Sequence, residues 1–84
     1  MRQPPQKLLR QAVAAVASVM SSERLPPGRQ ERLRLRAQSL ALKVEKAMGA
    51  GTHDEKLAVW EELNRHALRQ NEHKRLKTLG VEGY

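Results

Sequence analysis

The residues of this chain best suited to chemistry are cations. Arg29, Arg32, Arg36 and Lys43 recur at steps of three, four and seven, with Ser39 among them and Lys46 at the margin. On a helix such steps fall on one side, so a series of guanidinium and ammonium groups can follow a phosphate backbone. Glu31 and Glu45 fall off that side and do not interrupt the row. Toward the other end of the chain, Arg69, Lys74, Arg75 and Lys77 form a second basic region. The bland alternative for both is a solvated surface, since long basic stems also cover apolar area while their heads stay in water.

Other chemistries find little to work with. His53, His66 and His73 are the only side chains that ordinarily titrate near neutrality. His66 and His73 lie two turns apart and lack the i, i+4 spacing that lets two imidazoles share a metal on one helix. The chain has no cysteine, which removes thiolate ligands and nucleophiles, and it carries no glycine-rich phosphate loop and no nucleophile elbow. Glu61-Glu62 has no acid–base counterpart. The expectation is therefore no catalytic residue, no metal, no cofactor and no enzyme activity. A helix-turn-helix over Lys43 to Leu63 is also disfavoured. It would put Glu45 where a small residue must pack, and its groove-entering helix would begin with the acids of His53-Asp54-Glu55.

Composition sets the partners. The 84 residues include one Trp, one Tyr and no Phe, so the core must come from Leu, Val, Ala and Met. Such a core leaves a chain of this size marginal alone, and without disulfides a second subunit is the expected remedy, giving a homodimer. The absence of cysteine suits a reducing cytoplasm. The formal charge of +7 is uneven: residues 1–36 carry eight Lys/Arg against two Glu (+6), 37–62 three against five acids (−2), and 63–84 five against two (+3). Positive blocks around a near-neutral joint favour anionic partners, either nucleic acid or an acidic protein face. The alanine-rich run Ala12–Met20 is too weakly apolar for an export signal, and the chain lacks the roughly 20 apolar residues of a membrane span.

The elements that position these residues are helices. Periodicity predicts an all-α single domain over 1–84, with helices near 4–22, 28–48 and 53–79 and loose ends at 1–3 and 81–84. Pro26-Pro27-Gly28 and Gly49-Ala50-Gly51 separate them. Thr52 and Glu55 have the spacing of a capping box for the third helix, which Gly80 is placed to end, with Val81 against Leu76. In the second helix the stripe Leu33, Ala37, Leu40, Val44, Ala47 and Met48 is expected to meet both neighbours. Leu35 and Leu42 lie nearly opposite that stripe and await either a sandwiching helix or a second chain. In the third helix the expected buried face is Leu57, Trp60, Leu63, Ala67 and Leu68, with Trp60 as its anchor. Asn64 and Asn71 lie in the same seam, where asparagine can set register or partner number. Past Leu68 the stripe turns polar, so this end is expected to project from a small antiparallel bundle or extended helical hairpin.

These readings converge on a non-enzymatic accessory protein that binds nucleic acid or a nucleoprotein through Arg29, Arg32, Arg36, Lys43 and Lys46, helped by the basic end of the third helix. The rival is a protein-interaction adaptor or inhibitor, of the kind mobile elements encode, docking through Leu35, Leu42, Asn64 and Asn71.

Overall fold

A computed structural model describes residues 3–78. Three helices, α1 (Gln6–Met20), α2 (Pro27–Met48) and α3 (His53–Thr78), pack into an all-α bundle, and no strand occurs among the described residues. The predicted helix end at Leu79, its Gly80 cap and the loose residues 1–2 and 81–84 lie outside the described part.

Each junction follows from local chemistry. Proline at the start of α2 costs nothing, because Pro27 occupies a first-turn position whose N–H would lack a partner anyway. The α1–α2 loop is held by Gln30, whose Nε2 donates to the carbonyls of Ser22 (2.9 Å) and Leu25 (3.0 Å). Gly49 ends α2 at φ 73°, a left-handed conformation that glycine adopts without steric cost. The Ala50 amide then donates to Glu45 O (2.9 Å) and the Gly49 amide to Lys46 O (3.1 Å), the paired bonds of a Schellman ending. The predicted capping box opens α3. Glu55 N donates to Thr52 Oγ1 (3.2 Å), and the Glu55 carboxylate accepts from the Thr52 amide (3.2 Å) and hydroxyl (2.9 Å).

The helix at the centre is α1. It packs extensively on both other helices, whereas α2 and α3 touch each other much less. The molecule is accordingly flat, 42 × 35 × 21 Å. Ala12, Ala41 and Ala67, one from each helix, are each 0% exposed, because a methyl group lets the helices approach closely. Val16, Ala37, Val44, Val59 and Leu63 complete the buried cluster, with Leu8, Leu9, Val13, Val19, Met20, Leu40, Met48 and Trp60 packed at its margin.

Two expectations about faces change. The buried stripe of α3 is Val59, Leu63 and Ala67, at i, i+4 and i+8, whereas Leu57 and Leu68 are 48% and 60% exposed and Trp60 is half-buried. The stripe is rotated from the predicted one because α3 packs mainly on α1 and not on α2. In α2, Ala41 and Glu45 join Ala37 and Val44 inside, while Leu33, Leu40, Ala47 and Met48 are only half-buried. The third helix is also tied down further along than its polar stripe implied. Asn71 Nδ2 donates to Ala17 O (3.0 Å), fastening α3 to the last turn of α1.

Candidate functional site

The basic row occupies one outer face of α2. Arg29, Arg32, Arg36, Lys43 and Lys46 are all exposed. Glu31 and Glu45 stay off it: Glu45 is 5% exposed on the core side, and Glu31 lies 3.9 Å from Arg34. The remaining ion pairs among the described residues are Arg65–Glu62 (3.4 Å) and His66–Glu62 (3.0 Å, when His66 is protonated). No member of the row is therefore neutralised within the described part of the chain. From Arg29 to Lys43 the row covers about 21 Å at 1.5 Å per residue. That is about six phosphate steps along one strand of a duplex.

The second basic region is arranged differently. Arg69, Lys74, Arg75 and Lys77 are exposed, but steps of five, one and two distribute them around α3 instead of along one side. The histidines stay apart, and no group of three His, Cys, Asp or Glu side chains among the described residues could hold a metal.

A groove along the opposite flank of α2 is the feature the sequence did not reveal. Its floor is Val16, Val19 and Met20 of α1, with Arg34, Ala37 and Gln38 on the α2 side and Trp60 and Asn64 on the α3 side. Leu35 and Leu42 precede and follow Gln38 by three and four residues, so they stand beside it on the α2 rim. Leu57 precedes Trp60 by three and Leu68 follows Asn64 by four, which puts both on the α3 rim. These four leucines are the prominently exposed large hydrophobics among the described residues, at 48% to 60%, and none of them lines the groove itself. Asn64 lies within it, whereas Asn71 is engaged by α1. Helical phase alone would have paired Leu35 with Leu42 and Leu57 with Leu68.

The α3 cap also sets the charge state of its carboxylate. Glu55 is held below the usual carboxylate range first by the Thr52 hydroxyl and then by the Thr52 amide, both donating to its charged form. No helix among the described residues is long and apolar enough to cross a membrane. No family model, curated protein or solved structure matches the chain.

Proposed function

We propose that this chain is a non-enzymatic, all-helical accessory protein of the cytoplasm that self-associates and binds nucleic acid or a nucleoprotein through the outer face of α2. The observation that carries this reading is the row Arg29, Arg32, Arg36, Lys43 and Lys46, exposed throughout and unpaired among the described residues. Its contacts are to phosphate. A row of cations on the face of one helix offers no bidentate base-reading set, so sequence preference is low. Fluorescence anisotropy with duplex DNA, single-stranded DNA and RNA over a salt series tests it. With all five cations on a duplex, log affinity falls against log salt with a slope of about −4.5. Absence of binding to all three at low salt overturns the reading.

The exposed Leu35, Leu42, Leu57 and Leu68 favour a second reading, an adaptor that docks on another protein through apolar surface. Salt separates the two, because apolar docking changes little over a range that releases phosphate contacts.

A further inference from the structure

We propose that the cleft between α1 and α2, on the side of the basic row, seats one phosphate strand of a nucleic-acid duplex, with α2 supplying cations from one wall and Lys7 of α1 supplying one from the other. The inference rests on the anion-binding reading above and adds to it a second helix, a seat and a preferred form of the ligand.

The cleft is lined by Gln11, Ala14, Ala15 and Ser18 of α1 and by Leu33 and Arg36 of α2. Arg29 and Lys43 stand seven residues to either side of Arg36, so all three share one ridge of α2. Lys7, Gln11, Ala14 and Ser18 follow steps of four, three and four, which puts Lys7 on the α1 ridge that forms the other wall. The two helices run antiparallel along the cleft. Leu9 borders one hollow with Val44 and Met48, whereas Val16, Val19 and Met20 border another with Arg34 and Ala37. Lys7, two residues before Leu9, therefore belongs to the Lys43 end, and Ser18 to the stretch beside Arg36.

Charge and side-chain size select the occupant. α1 contains no Asp or Glu. The two acids of α2, Glu31 and Glu45, stand about 140° and about 180° around the helix from Arg36. Neither wall therefore carries a carboxylate. Lys7, Arg29, Arg36 and Lys43 are exposed, and none is in an ion pair among the described residues. Ala14 and Ser18 keep the α1 wall low beside Arg36, and the Ser18 hydroxyl turns back on its own helix, donating to Ala14 O (2.9 Å). Gln11 adds an exposed amide donor to the same wall. A single strand gains much of its affinity by stacking bases on aromatic rings, and neither α1 nor α2 contains Phe, Tyr or Trp. A duplex needs no such platform, because it presents phosphates at fixed spacing to cations fixed on a helix.

Fluorescence anisotropy with duplex DNA and with one of its strands alone, over a salt series, compares the wild type with Lys7→Glu, Ser18→Leu and Lys56→Glu. Lys56 is exposed on α3, outside the row and the cleft, so Lys56→Glu matches the charge change of Lys7→Glu at another site. Ser18→Leu fills the cleft without altering charge and loses only a bond within its own helix. Circular dichroism verifies the fold of each variant. The duplex is expected to bind more tightly than the strand. Lys7→Glu should flatten the log-affinity against log-salt slope by about one where Lys56→Glu does not, and Ser18→Leu should weaken duplex binding at unchanged melting. Wild-type protein that binds no nucleic acid overturns the proposed function and the cleft together. A wild type that loses duplex affinity on Arg36→Glu, while Lys7→Glu behaves as Lys56→Glu or Ser18→Leu binds as the wild type, overturns the cleft and leaves the row. Preference for the single strand does the same.

Discussion

At the scale of single residues, two polar side chains do work that burial alone does not. Glu55 has its pKa lowered in the folded state by the Thr52 hydroxyl and amide. A depressed folded pKa means that the carboxylate's contribution is present above the unfolded value and is lost as pH falls through the folded one. Glu55→Gln should thus melt below the wild type at neutral pH, and the gap should narrow as pH falls below the ordinary carboxylate range and through the lowered folded value. Thermal melts followed by circular dichroism over pH 3 to 7 measure this. A gap that persists in acid would assign the effect to something other than the carboxylate. Thr52→Ala should retain part of its deficit in acid, since it also removes the acceptor for the Glu55 amide. Gln30 is the second case. Its amide nitrogen joins Ser22 and Leu25 carbonyls across the loop, and Gln30→Ala should cost about 1 kcal/mol in urea unfolding. Gln30→Glu should cost more at neutral pH, since carboxylate oxygens would then face carbonyl oxygens that need a donor.

At the scale of the helix, what could be read in advance was whatever depends on one element at a time. Pro27, Gly49 and the Thr52/Glu55 pair mark their ends by steric and hydrogen-bonding rules that act over a few residues, and the row on α2 follows from the helical period alone. The face of α3 did not follow. Leu57, Trp60, Leu63, Ala67, Leu68 and Val59, Leu63, Ala67 are both helical stripes, and the position of α1 decides which is buried. The groove, which exists only between helices, was for the same reason out of reach. Independence of the row from the core gives the prediction at this scale. Arg29→Glu/Arg36→Glu alters two exposed positions of α2 outside the buried cluster. Helicity, melting and dimer mass should hold, while duplex affinity falls steeply and the log-affinity against log-salt slope flattens by about 2. Unchanged affinity in the same anisotropy titration would return the row to a solvated face.

At the scale of the whole molecule, the chain is a hub with two arms. α1 supplies Ala12, Ala15, Val16 and Ala17 to the buried cluster and receives the cross-links from both directions: Gln30 at the loop that follows it and Asn71 at its last turn. α2 and α3 share far less contact with each other. Remove α1, and Val44, Val59 and Leu63 lose the surface that covers them, while Leu35, Leu42, Leu57 and Leu68 are exposed already. Two helices of 22 and 26 residues would remain. Helices of that length retain some helicity as isolated segments, but without tertiary packing they do not melt cooperatively. Residues 23–84 should consequently show reduced helicity and a broad, non-cooperative melt, and adding residues 1–22 as a separate peptide should restore a sigmoidal one. The opposite truncation is the control: residues 1–51, which keep α1 with α2 and the Gln30 loop, should preserve more cooperativity than 23–84 despite the loss of the longest helix. A sharp transition in 23–84 alone would place the organising contact between α2 and α3 and would remove α1 from the centre of the fold.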